Sequence, residues 1–175
     1  MLKTFLWIGA AASLTISGAA MSQDAAKPND AQIAHIAYTA GQIDVDAGKQ
    51  ALAKSHNPAV RAFAEEMVRD HAAVNDKALA LVTKLGVTPE ANATSTALSA
   101  QAAQKHAELD KLDGAAFDRA YVANEVAYHN TVNGALRGLL IPSANNGELK
   151  SLLETGLVLF SEHQKHAEHL AASVK

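Results

Sequence analysis

The sequence predicts an all-α protein: four long helices in a bundle, with a long, partly helical crossover between the second and third. Three observations carry that prediction. Only 5% of the 175 residues are aromatic, 10 are glycine and 4 are proline, and alanine is abundant, a composition that favours helix. Apolar residues recur at steps of three and four, the period of a helix with one buried stripe. Cap and stop residues fall between the stripes and not inside them.

Residues 1–22 read as a signal peptide. Lys3 supplies a positive start, Phe5 to Ile16 form an apolar run short for a bilayer span, and cleavage fits after Ala20 or Ser22. Residues 23–29 form a polar lead, expected to be disordered, and the bundle is assigned to residues 30–172. Its first helix, capped by Asn29 or Asp30, buries Ile33, Ile36, Ala40, Ile43, Ala47 and Ala51 and runs to about Ser55. Asp44 sits at the edge of that stripe; His35 and Asp46 lie off it.

The second helix is the best defined. Asn57 caps it, Pro58 suits its first position, and Gly86 ends it. Its stripe comprises Val60, Phe63, Ala64, Met67, Val74, Ala78, Val82 and Leu85, and His71 falls inside it. Glu66, Arg69 and Asp70 lie to the side or behind. So short a link makes the first two helices antiparallel neighbours.

Thr88-Pro89 then breaks the chain, and Asn92 to Thr96 looks turn-like. Ser95 to Leu112 reads as a weakly amphipathic helix laid along the outside, anchored by Leu98, Ala102, Leu109 and Leu112. After Asp113-Gly114 a third long helix runs from about Ala116 to Leu140, turning Phe117, Tyr121, Val132, Leu136 and Leu139 inward. Asp118, Glu125 and His129 project into the same sector. Pro142 to Gly147 is a loop. The last helix, about Glu148 to Ala172, faces inward with Leu149, Leu153, Gly156, Leu157, Phe160, Ala167 and Leu170. His163 shares that face, His166 borders it, and Glu162 and His169 point away. Short first and last connections around one long crossover describe the ferritin-like topology.

Several function classes lose support. A formal charge of −3, with both signs interspersed, leaves no footprint for nucleic acid. The absence of cysteine removes disulfides, thiolate metal sites, a cysteine nucleophile and a lipid-attachment site. No later segment is apolar for long enough to be a membrane helix, so the mature chain is expected to be exported and soluble, most simply periplasmic. No GxSxG, Walker loop, GxGxxG or HExxH sequence supports catalysis, and no catalytic residue is assigned.

What needs explaining is the polar group that each helix offers to the core: Asp44, His71, Glu125 with His129 and Asp118, and His163. With a rise of about 1.5 Å per residue, Asp44 and His71 come level, while His129 and His163 differ by roughly 6–8 Å. Two readings follow. Imidazole plus carboxylate suits a divalent transition metal: zinc, iron, manganese or copper. Alternatively His129 pairs with Glu125 and His71 with Asp44 in a hydrogen-bonded layer that sets helix register, in a structural, stress-related or interaction protein without an ion. The run Glu162 to His169 looks more metal-like to the eye, but steps of three turn its rings around the helix, so His163 and His166 share an ion only at the bundle edge. Asp118 suits the helix dipole, and Tyr121 and Tyr128 read as core-edge residues.

The blocks GQIDVDAGKQAL, VRAFAEEMVRDHAAVN, FDRAYVANEVAYHNTV and LETGLVLFSEHQKHAEHL resemble those of the bacterial family catalogued as domain of unknown function 4142, grouped with the ferritin-like superfamily. The likeness spans about Ala31 to Leu170. It implies an exported ferritin-like bundle with no established activity, and its recurring positions fall on Asp44, Asp70, His71, Asp118, Tyr121, His129 and His163. Di-iron members of the ferritin-like class carry Glu-x-x-His on two helices. Here Val68 and Phe160 stand where those glutamates would be, which speaks against di-iron chemistry.

Overall fold

A computed structural model describes residues 27–174. The expected signal peptide and residues 23–26 of the polar lead lie outside the described residues. The described chain is an all-α bundle: α1 (Asp30–Lys54), α2 (Pro58–Leu85), α3 (Ala93–Leu109), α4 (Gly114–Ala135), a π-helical turn (Leu136–Leu140), α5 (Ile141–Ser143) and α6 (Gly147–Ser173). No helix among the described residues is long and apolar enough to cross a membrane.

Local chemistry sets the ends. Asn29 and Gln32 form a capping box on α1. Asn57 accepts from Ala59 and Val60 N–H at the start of α2, and Gly86 closes it in the left-handed region at φ 64°. Asn92 caps α3, accepting from Thr94 and Ser95 N–H at 3.0 and 3.1 Å. The stretch from Asn92 to Thr96 is therefore a cap and a first helical turn, not a loop; the same residue type serves both.

End-to-end contacts fix the topology. Asp30 accepts from Asn145 and Asn146 N–H at 2.8 and 2.9 Å, which brings the chain after α4 to the start of α1. Lys84 and Glu148 pair at 2.5 Å, joining the end of α2 to the start of α6. Gln50 donates to His106 O and Asp110 Oδ1 at 3.0 and 2.7 Å, so α3 returns alongside α1. α2 and α4 thus run in one direction and α1, α3 and α6 in the other, the connectivity expected from the long crossover.

Two details depart from expectation. The third long helix does not continue regularly to Leu140. Its last turn is π-helical, a wider winding in which Ile141 N–H reaches the Leu136 carbonyl five residues back. Leu136 and Leu140 are each 3% exposed, while Leu139, expected inside, is 37% exposed. Pro142 is helical and does not open the loop. On α1 the buried face is turned toward Gly41, Asp44, Val45 and Gly48, leaving Ile43 and Ala47 only half-buried. A Cβ at Gly41 would lie 2.3 Å from Asn75 Oδ1, and one at Gly48 would lie 2.8 Å from Val68 Cγ2 and 3.0 Å from Ala64 O. α1 and α2 are in contact where those side chains are missing.

The core divides into two apolar clusters. One contains Val60, Phe63, Met67, Phe117, Tyr121 and Leu170. The other contains Ile33, Ile36, Leu136, Leu149, Leu153 and Phe160. In every long helix the three inward imidazoles, Asp44 and Glu125 lie between the residues of these two clusters.

Candidate metal centre

The polar layer brings together all five residues singled out in the sequence. His71, Glu125 and His129 are each 1% exposed, and Asp44 and His163 are each 2% exposed. The three imidazoles form a triangle, with ring centroids 5.6 Å apart for His71 and His129, 5.3 Å for His71 and His163, and 5.7 Å for His129 and His163. One nitrogen from each lies within 4.8 Å of the other two; one donor atom each from Asp44, Glu125 and His129 meets the same limit. The rings of His129 and His163 lie 5.7 Å apart, closer than the height difference expected from helix counting alone. Asp44 is also no edge residue: it sits in the α1–α2 seam with Oδ2 3.4 Å from His71 Nε2.

Each ring is oriented differently. His129 Nδ1 donates to the Glu125 carbonyl at 3.0 Å, leaving Nε2 without a partner. His163 Nε2 donates to Asp70 Oδ2 at 3.1 Å, leaving Nδ1 without one. In both cases a second-layer acceptor selects the tautomer and turns a lone pair inward, the arrangement that orients metal-binding histidines. The Arg69 guanidinium fixes Asp70 with two hydrogen bonds, of 2.7 and 3.0 Å. His71 stacks on Phe160 at 4.4 Å and 8°, and neither nitrogen makes an aligned hydrogen bond. Across the five residues seven buried nitrogen and oxygen atoms lack a protein partner. A finished hydrogen-bonded layer would pair them, since each orphan costs about 1–3 kcal/mol.

Burial controls the charges. It pushes His71 well below the usual imidazole range, helped by His129 and His163, and brings His129 down to about 4. His163 is also lowered by burial, with Asp70 acting against it. Burial raises Asp44 well above the carboxylate range and Glu125 to about 8, and the nearness of Glu125 adds to the rise at Asp44. Without a cation, burial therefore biases the three imidazoles toward the neutral form and the two facing carboxyl groups toward the protonated one. A divalent ion would find its nitrogen donors already deprotonated and would displace protons from the acids.

Asp70 and Asn133 were not read as inward from helix phase. Asp70 lies on the flank of α2 that faces α6, and the family resemblance, not the wheel, marked its position. Asn133 is fully buried and donates to Phe160 O at 3.1 Å and Gln164 Oε1 at 3.0 Å. Asp118 is not at the helix end: α4 begins at Gly114, so the dipole has faded there. It is 6% exposed, with one oxygen unpaired. In the run Glu162 to His169, His163 faces inward, whereas His166 binds Glu66 at 2.7 Å and Glu162 pairs with Lys165. A third cluster, Glu66, Asp70 and His163, flanks the layer on the outer side.

The model of a family described as a domain of unknown function, DUF4142, matches residues 16–170. The chain belongs to the DUF4142 family. No curated protein and no solved structure matches it. In this DUF4142 chain the matched region spans every long helix and all five residues of the polar layer.

Proposed function

We propose that the protein is an exported helical bundle that holds one divalent transition metal ion in its core. His71, His129 and His163 would supply neutral nitrogen donors, and Asp44 and Glu125 the compensating carboxylates. The observation that carries this reading is the set of seven orphaned donor and acceptor atoms converging from all four long helices. A cation is the partner that would satisfy imidazole lone pairs and buried carboxylates together.

Export is the expectation set by the N-terminal sequence. The site is read as a holding site for one ion: Val68 and Phe160 occupy the positions of the missing glutamates, and the Phe160 ring covers His71 instead. A three-histidine set with nearby carboxylates makes zinc the first ion to test.

The test is direct. Untagged protein, stripped with chelator and dialysed against zinc, is expected to retain about one equivalent by elemental analysis and to melt at a higher temperature. Retention below about a tenth of an equivalent for zinc, copper, manganese and iron, with no change in melting temperature, removes the reading.

A further inference from the structure

The apolar half of the core beyond Phe160 is not filled. A cavity of about 190 Å³ lies among α1, α2, α4 and α6, with Ile36, Ala37, Ala78, Ala135, Leu153 and Phe160 in its wall. Protein interiors rarely leave voids larger than a water molecule. An apolar void of ~150 Å³ stays dry and takes up benzene. Water has little to hold it here. Of the polar side chains on the wall, Asn75 already donates to Tyr38 O at 3.4 Å, Thr131 donates to Ala127 O at 2.9 Å, and Thr94 is exposed.

Leu98 and Thr131 line this cavity and also a second space, about 990 Å³, that runs beneath α3. α3 is tied down at its two ends. Asn92 and Glu90 bond to Gln32 O and Ala31 O at one end, and Gln50 and Lys54 reach His106 O and Asp110 O at the other. Between the ties lies the groove, with Tyr38, Ile43 and Tyr128 beside polar Gln42, Lys49 and Asn124. An apolar cavity and a more open groove therefore adjoin at Leu98 and Thr131.

We infer that the two spaces form one binding site for a single-chain amphiphile, with its medium-length hydrocarbon tail in the cavity and its polar head under α3. The tail assignment follows from the wall, which offers dispersion contacts and almost no hydrogen-bonding groups. The head assignment follows from the groove, whose wall carries polar side chains that the cavity lacks, Gln42, Lys49 and Asn124 among them. This site is separate from the ion, since the imidazoles lie on the other side of the Phe160 ring.

The test is calorimetric titration of the metal-free protein with dodecanoate below its micellar concentration, with butyrate as the short-chain control. The expected result is one dodecanoate per chain, a raised melting temperature, and butyrate at least about tenfold weaker. Ala135→Leu fills the cavity and Ala102→Trp fills the groove; each is expected to weaken dodecanoate at least about tenfold while thermal unfolding stays cooperative. Ala102 lies on the outer helix, so that variant carries the test if Ala135→Leu misfolds. Absence of saturable binding, or unchanged affinity in the Ala102→Trp protein, overturns the inference.

Discussion

The protein carries two groups of histidines, and they behave as opposites. His71, His129 and His163 are scattered over 93 residues, yet their rings meet in a triangle inside the bundle. His163, His166 and His169 crowd one short run, and only the first of them reaches that triangle. Closeness in sequence placed rings around a helix; equal height on separate helices placed them together. A metal-like spacing along one helix is therefore weaker evidence than matched depth across several.

The comparison can be broken by substitution. The largest expected effect is at His129, whose Nε2 is aimed inward: His129→Ala should lower zinc retention from about one equivalent to below a tenth, read by elemental analysis. Asp70→Asn should keep the fold and weaken zinc by about 10–100-fold, because the ring of His163 loses the acceptor that sets its tautomer; a titration with a competing chelator measures this. In metal-free protein His71→Ala should cost about 1–3 kcal/mol by denaturant unfolding, through the neighbours it leaves unpaired. His169→Ala, on the outer face, should stay within about 0.5 kcal/mol. Equal losses at 71 and 169 would mean that the helices are wrongly phased.

Acidity sharpens the same contrast. Glu125 has a folded pKa of about 8 against an ordinary 4.5. The stability linked to its bound proton is thus complete below pH 4.5 and is lost as pH rises through about 8. His129, lowered from 6.5 to about 4, acts the other way: its contribution is present above 6.5 and lost as pH falls through 4. Chelator-treated protein should therefore melt highest in the mildly acidic range and lose melting temperature on the alkaline side. Glu125→Gln should flatten the alkaline fall, and a bound ion should do the same by taking the proton's place.

Most of the architecture was legible because helices announce themselves locally. Asn57-Pro58 and Gly86 mark both ends of α2 by capping chemistry alone, and the three- and four-residue stripes give the buried faces. What escaped depends on context. Nothing in LRGLL signals a π-helical turn, so Leu139 and Leu140 were exchanged. Ending the third long helix at Leu140, when helical winding continues to Ser143, puts His129 three residues, roughly 4.5 Å, too near the last loop, part of the apparent gap to His163. Asp70 was set aside because it lies about 100° from His71 on the wheel; only the position of α6 beside it makes that flank an interior edge.

Gly41 and Gly48 stand about one turn either side of Asp44, where a Cβ on α1 would collide with α2. Neither touches a donor atom, yet the 3.4 Å between Asp44 and His71 depends on how near the two backbones lie. A methyl group at Gly48 would act as a wedge between two rods, opening the gap beside that acid and that imidazole. Affinity for an ion would then double as a gauge of helix separation, registering distant packing changes that leave every ligand in the chain intact.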